Sequence, residues 1–202
     1  MSHNIDKIYY INMDKRPDRR ADIETELAAY GLEAERFVGI PHTPGIVGCG
    51  KSHLAVMKMA KANGYKNVLI LEDDFTFLLS KEEFELRLEM FFQMVPEFDV
   101  CKLCCNLVEA APEKPFPFLK RIVESSNACA YIVNGHYLDT LINLYEYAMP
   151  LLEETGAHWL YANDQVWKPF QKTGTWYLFD PRLGKQKSGF SDNAQRVMDY
   201  DT

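Results

Sequence analysis

The chain has 202 residues, 47% of them hydrophobic and 25% charged, with a formal net charge of -7. That much apolar material supports a sizeable core, and the length is read as one domain over residues 1–202. The acidic balance excludes a general nucleic-acid binder, which needs a Lys/Arg surface to release counterions, and no stretch reaches the ~20 apolar residues of an integral membrane segment. The opening Met1-Ser2-His3-Asn4-Ile5-Asp6-Lys7 has no apolar signal core. Cys49, Cys101, Cys104, Cys105 and Cys129 are odd in number and mostly in apolar surroundings, which suits reduced thiols, so a cytoplasmic, reducing location is expected.

Strands and helices alternate from near the start, so the expected fold is α/β with a mostly parallel central sheet flanked by helices. An apolar strand at residues 8–11 leads through Asn12-Met13-Asp14-Lys15-Arg16 to Pro17, which is placed to open a helix that runs to about Tyr30 and stops at Gly31. A second strand at 37–40 is broken by Pro41 and Pro44, and a helix over 49–62 closes at Asn63-Gly64. The strand 68–71 follows directly. Ser80-Lys81-Glu82-Glu83 fits a capping box for a helix whose Phe84, Leu88, Phe91 and Phe92 recur at helical spacing before Pro96 ends it. A strand over 99–105, a proline-rich loop over 111–117, a strand over 128–133, helices over 136–154 and 164–171, and a strand over 175–179 complete the alternation. The polar tail, 185–202, is read as a flap or a frayed end.

The strongest chemical signal is Val68-Leu69-Ile70-Leu71-Glu72-Asp73-Asp74, which brings consecutive carboxylates to a strand end. Like charges there push one another toward protonation unless a divalent cation turns the repulsion into coordination. Strand alternation puts Glu72 and Asp74 on one face and Asp73 on the other, and open α/β sheets bind ligands beyond the carboxyl ends of their strands. Glu72 and Asp74 are therefore the candidate metal ligands, set against the alternative of a solvated acidic turn. Asp73 is a candidate acceptor for a ribose or sugar hydroxyl, or a cap for neighbouring amides.

Gly45-Ile46-Val47-Gly48-Cys49-Gly50-Lys51-Ser52 also satisfies the G-x-x-x-x-G-K-S pattern of a phosphate-cradling P-loop, which would make the chain a nucleotide kinase or NTPase. The context opposes this, because a P-loop leaves a buried strand directly, whereas Ile40-Pro41-His42-Thr43-Pro44 intervenes and proline cannot extend a central strand.

Asn12 through Arg20, then Gly48-Cys49-Gly50-Lys51-Ser52-His53-Leu54, then Leu71-Glu72-Asp73-Asp74 closely resemble the successive motifs of glycosyltransferase family 25, which includes lipopolysaccharide and procollagen galactosyltransferases. Ala130-Tyr131-Ile132-Val133, Asn163-Asp164 and the run from Pro181 through Gln186 to Ser191-Asp192 resemble its later segments, so the resemblance spans nearly the whole chain in order. It implies a GT-A-like nucleotide-sugar-binding fold and inverting transfer of a hexose, galactose or glucose favoured. The implied donor is a nucleotide sugar, UDP-sugar favoured, and the implied acceptor a glycan or glycoprotein, as in lipopolysaccharide biosynthesis. A Mn2+ or Mg2+ cofactor at the acidic motif is implied as well. This chain carries Glu-Asp-Asp where many GT-A enzymes carry Asp-x-Asp, which leaves the individual ligands open.

Departure of a nucleoside diphosphate leaves growing charge on the β-phosphate, which a divalent cation and nearby Arg or Lys stabilise. Asn12 at the first strand end is a candidate for the nucleobase or ribose, or an ordinary turn residue. Arg16 is preferred over Arg20 as the donor-side cation. Ser52 and His53 are placed near a helix N-terminus, where anions are favoured, although a buried His53 that only fixes the turn is the bland alternative. Lys51 has no special role in the resemblance. Inverting transfer needs a base for the acceptor hydroxyl, and Asp164 is the candidate, against the role of a helix cap. Trp159, Tyr161, Trp167 and Trp176 are either sugar-stacking faces or core. Gln186 or Asp192 in the tail, or water, would complete a metal shell. A catalytically silent carbohydrate-binding module of the same fold is the remaining alternative.

Overall fold

The computed structural model describes residues 4–112, 114, 116–191 and 196–199. The first half alternates as the sequence leads one to expect: β1 (Lys7–Asn12), α1 (Pro17–Tyr30), β2 (Glu35–Val38), α2 (Gly45–Ala62), β3 (Asn67–Glu72), β4 (Phe75–Phe77) and α3 (Lys81–Met94). The second half runs β5 (Val100–Lys102), β6 (Asn106–Ala110), β7 (Leu119–Ser126), β8 (Ala130–Asn134), α4 (Leu138–Thr155), α5 (His158–Tyr161), α6 (Asn163–Val166), α7 (Lys168–Thr173), β9 (Trp176–Phe179) and β10 (Gly184–Gln186), then a short pair, β11 (Gly189–Ser191) and β12 (Arg196–Met198). Local chemistry sets several ends. Pro17 opens α1 and Gly31 closes it in the left-handed region at φ 65°, where a side chain would be strained. Ser80 caps α3 by accepting from the Glu83 amide at 3.2 Å.

The central sheet has eight strands in the order β2-β1-β3-β8-β5-β9-β7-β6. β1 is parallel to β2 and β3, and β5 to β9, whereas β8 is antiparallel to its neighbours β3 and β5, and β7 to β9 and β6. All strands but β8 and β7 therefore share one direction. Alternation along β3 divides its side chains between two cores. Val68 and Ile70 pack with Val56, Met57, Leu141 and Met149 from α2 and α4, and Leu69 and Leu71 with Ile23, Leu27, Phe84 and Leu88 from α1 and α3. The sheet is thus sandwiched between helices, the three-layer arrangement that makes its strands read as continuous apolar runs.

Several boundaries differ from the sequence reading, each for a physical reason. The strand expected at 37–40 is β2, displaced toward the N-terminus and ending at Val38. The run 99–105 is not one strand: β5 stops at Lys102, and β6 begins after a bend, at the exposed sheet edge. β7 buries every third residue rather than every second, so the alternation that marks a strand is missing from its sequence. The helix expected at 164–171 is two short helices, because Pro169 cannot continue the first and instead lies in the opening turn of the second. Part of the tail is ordered, since β10 pairs antiparallel with β4. Asp192 lies outside the described residues.

The largest correction concerns Gly45 through Ser52. These residues form the first two turns of α2, which starts four residues earlier than expected, so they make no phosphate-cradling loop. Lys51 Nζ turns away to Glu153 Oε2 on α4 at 2.6 Å, and the Ser52 hydroxyl donates to the Gly48 carbonyl within its own helix. The P-loop reading is overturned.

Candidate active site

Register brings the key residues together. Ile11 on β1 is the partner of Glu72 on β3, so Asn12 and Glu72 stand side by side at the carboxyl ends of adjacent parallel strands. A cleft opens there, lined by Arg16 and Arg19 from the start of α1, Cys49, Ser52 and His53 from α2, Glu72, Asp73 and Asp74, and Gln186 from β10.

The acidic motif is organised by a residue the sequence reading passed over. Arg19 Nη1 donates to Asp73 Oδ1 at 3.0 Å and to Asp74 Oδ2 at 2.8 Å, bridging the two carboxylates. Asp73 is therefore not turned to the opposite face from Asp74. β3 ends at Glu72 and the chain turns through Asp73 and Asp74 to β4, so the alternation of a strand no longer applies. Asn12, 1% exposed, fixes the other side of Asp73. Its amide nitrogen donates to Asp73 Oδ2 at 2.7 Å and to the Arg16 carbonyl at 3.0 Å, and its oxygen accepts from Arg36 Nη2 on β2 at 2.8 Å. Burial raises Asp73 from its usual value despite these donors. Asp74 is pushed up to about 6, first by burial and then by the charge of Glu72, with Arg19 opposing.

Glu72 has a different set of neighbours. His53, fully buried, reaches Glu72 Oε1 with Nε2 at 3.1 Å and the Tyr131 hydroxyl with Nδ1 at 3.0 Å. Cys49 Sγ lies 3.5 Å from the same carboxylate oxygen and accepts from Asn163 Nδ2 at 3.4 Å. Burial opposes ionisation of Glu72, but the hydrogen bonds from His53 and Cys49 hold it below its usual value. Burial pushes the Cys49 thiol well up, with the Glu72 charge adding to it. Ser52 accepts from the Ile40 amide at 2.8 Å, which ties α2 to the segment after β2 and leaves its hydroxyl a bracing role at the cleft wall.

Asp164 is not among the residues lining the cleft; it stands at the start of α6 and is connected to the cleft through Asn127. The Asn127 amide donates to Asp164 Oδ2 at 2.8 Å, the Asn127 side chain donates to Gln186 Oε1 at 2.8 Å, and Gln186 Nε2 donates to Asp74 Oδ2 at 3.1 Å. Asn127 holds φ 73°, a left-handed conformation that Asn tolerates better than most residues. Lys102, fully buried, donates to the Asn127 carbonyl at 2.9 Å and lies 4.2 Å over the Trp167 ring. Arg16 points to the exposed Asp18 at 2.8 Å. Trp167 and Trp176 are core, with no exposed surface, whereas Trp159 is 65% exposed.

The carboxylate part of the donor set fits a hard divalent cation, and the third donor within reach is a thiol. One ligand atom each from Glu72, Asp74 and Cys129 lie within 4.8 Å of one another, and carboxylate oxygens suit Mn2+ or Mg2+. The Asp74 carboxylate is costly to ionise beside Glu72 in a buried site, and a bound cation would relieve that cost.

This architecture, a largely codirectional sheet between helices with an acidic turn at its carboxyl edge, is a GT-A-like fold. A glycosyltransferase involved in the glycosylation of the major capsid of PBCV-1 matches it with a TM-score of 0.56 over 94% of this chain and 95% of that one, at 11% identity. A197 from STIV matches with a TM-score of 0.52 over 95% and 92%, at 10% identity. No family model matches the chain. In sequence, it is similar to a Glycosyltransferase 25 family member of Drosophila melanogaster, 30% identical over 102 aligned residues that take in 37% of this chain, which supports the resemblance carried by the motifs. The match spans 17% of that relative's length.

Proposed function

We propose that the chain is a metal-dependent, inverting glycosyltransferase that moves a hexose, galactose or glucose favoured, from a UDP-sugar to a glycan or glycoprotein acceptor in the cytoplasm, with lipopolysaccharide assembly as a fitting setting. The observation that carries this reading is the strand-end cleft in which Arg19 bridges Asp73 and Asp74 while Glu72 stands beside them, a carboxylate set suited to a hard cation with guanidinium groups alongside. Glu72 and Asp74 would hold Mn2+ or Mg2+, which supplies charge stabilisation to the departing diphosphate. Arg16 and Arg19 add fixed positive charge on the donor side. Asn12 holds Asp73 in place for a donor hydroxyl. Ser52 and His53, in the interior of α2 and not near its N-terminus as expected, line the same cleft, where the donor is read to lie. Asp164 takes the acceptor proton, its carboxylate oriented by the Asn127 amide.

The test is thermal-shift binding of UDP-, GDP- and CMP-sugars and of ATP, with and without Mn2+, on the native sequence and on Asp74→Ala. Stabilisation by one nucleotide sugar that requires Mn2+ and is lost in Asp74→Ala is the expected result. Binding without turnover on any acceptor would favour a silent carbohydrate-binding module, and stabilisation by ATP alone would overturn the reading.

A further inference from the structure

Glu72 belongs to two different donor sets. On one side it faces Asp74 and the Cys129 thiol, two carboxylates and one sulfur; on the other, its Oε1 is approached by Cys49 Sγ at 3.5 Å and His53 Nε2 at 3.1 Å, and ligand atoms of all three residues lie within 4.8 Å of one another. We propose that Cys49, His53 and Glu72 form a binding site for a borderline-soft divalent cation of the zinc class, distinguished by its imidazole from the carboxylate-rich set of Glu72, Asp74 and Cys129 and sharing Glu72 with it.

The geometry carries the argument. Zn2+ bonds thiolate at ~2.3 Å, imidazole at ~2.0 Å and carboxylate at ~2.1 Å in a tetrahedron, which sets sulfur-to-oxygen and nitrogen-to-oxygen separations of ~3.6 Å and ~3.4 Å. The separations found, 3.5 Å and 3.1 Å, are close to those edges. The outer partners that such a site needs are also in place. Tyr131 hydroxyl stands against His53 Nδ1 at 3.0 Å, so the ring can donate from Nδ1 and present Nε2 to the metal. Asn163 Nδ2 donates to Cys49 Sγ at 3.4 Å, a bond that favours the thiolate. Tyr131 and His53 also stack with ring centroids 5.8 Å apart, which fixes the imidazole plane. Cys49, His53 and Glu72 all line the cleft, so the remaining coordination position is accessible from it. Binding exchanges the Cys49 sulfur–hydrogen bond for a sulfur–metal bond and releases the proton to solvent, with no redox change. Thiolate and imidazole together select zinc over manganese or magnesium, whereas the paired carboxylates of the other set favour the harder ions. A zinc-class ion on Glu72 removes that carboxylate from the carboxylate-rich set.

Co2+ substitutes for Zn2+ and reports its own ligands. Titration of the full chain with Co2+ is expected to give a thiolate-to-metal charge-transfer absorption together with the intense visible bands of a tetrahedral site, both bleached by added Zn2+. Cys49→Ser is expected to abolish the charge-transfer band; its loss in Cys129→Ser instead would put the ion among Glu72, Asp74 and Cys129 and overturn the proposal. Tyr131→Phe keeps the ring but removes the hydroxyl and is expected to weaken Co2+ about ten- to a hundredfold. Absence of the charge-transfer band in the native sequence, or its survival in Cys49→Ser, overturns the proposal. If Cys49→Ser fails to fold, mass mapping of thiol alkylation on the native sequence decides: protection of Cys49 by Zn2+ supports the site, and alkylation of Cys49 at an equal rate with and without Zn2+ overturns it.

Discussion

Replacing Asp74 with asparagine should stabilise the metal-free protein at neutral and alkaline pH, which is the opposite of what loss of an Arg partner would suggest. Asp74 is 7% exposed and faces Glu72, and its carboxyl rises from 3.8 to about 6 in the folded chain, burial being the first cause and Glu72 the second. The folded chain therefore holds this proton more tightly than the unfolded chain does. Stability through Asp74 is fully present below about pH 4 and is lost as pH rises to about 6. At 1.36 kcal/mol per pH unit, the ionised form costs on the order of 3 kcal/mol above that range. The neutral carboxamide of Asp74→Asn mimics the protonated acid. Urea unfolding should show Asp74→Asn more stable than the native sequence by on the order of 3 kcal/mol at pH 8, worth roughly 6 to 12 °C in Tm for a chain of this size, and equal to it near pH 4. Added Mn2+ at about a hundred times its Kd should return ~2.7 kcal/mol to the native sequence and nothing to the variant. A variant less stable than the native sequence at pH 8 would refute the reasoning, because the Arg19 contact would then outweigh burial and repulsion and no stored cost would be available for a cation to relieve.

Asp164→Asn should lower kcat by about 10²- to 10⁴-fold with little change in donor KM if the carboxylate takes the acceptor proton; a fall in Tm with unchanged kcat would leave it a helix cap. Lys51→Ala should keep nucleotide-sugar binding within about twofold, since the ammonium is engaged by the exposed Glu153 and such pairs contribute little; loss of binding measured by calorimetry would reinstate a phosphate role. Gly48→Ala should destabilise the fold by about 1–3 kcal/mol in urea, because the added Cβ would collide with the Ile40 carbonyl, a backbone atom that cannot rotate away.

The elements that carry strong local punctuation were legible in the sequence. Pro17 and Gly31 bound α1, Ser80 caps α3, and the apolar run of β3 delivers Glu72 to a strand end. What escaped depends on contacts between distant segments. β4 is three residues long and exists by pairing with β10, more than a hundred residues later. The buried positions of β7 face different partners, Leu119 and Ile122 in separate cores and Ser125 against Gln171 on α7, a helix whose boundary is itself set by a proline. In the site, residue type pointed to the carboxylates, but the partners that determine their behaviour were not marked. Arg19 looks like any solvated charge in the first turn of a helix, and only the juxtaposition of α1 with the turn after β3 makes it the bridge between Asp73 and Asp74. Asn127 had no motif beyond a residue type that tolerates a left-handed turn, yet it connects Asp164 to Gln186 and hence to Asp74.

Glu72 shows why spacing alone could not rank the ligands. Alternation led one to expect Asp74 on its face, but β3 ends at Glu72, and it is the turn after the strand that brings Glu72 and Asp74 into one metal-sized cluster with Cys129. The chain then turns, so Asp73 and Asp74 share one guanidinium while Glu72 is left to His53 and Cys49. The two aspartates are raised by burial and the glutamate is lowered by its donors, so adjacent carboxylates of one motif ionise under opposite influences. Such divergence between neighbouring acids commonly accompanies divided roles in a site. In the proposed enzyme, Glu72 would be the ionised anchor for a cation, and Asp74 the carboxylate whose ionisation a cation would have to promote.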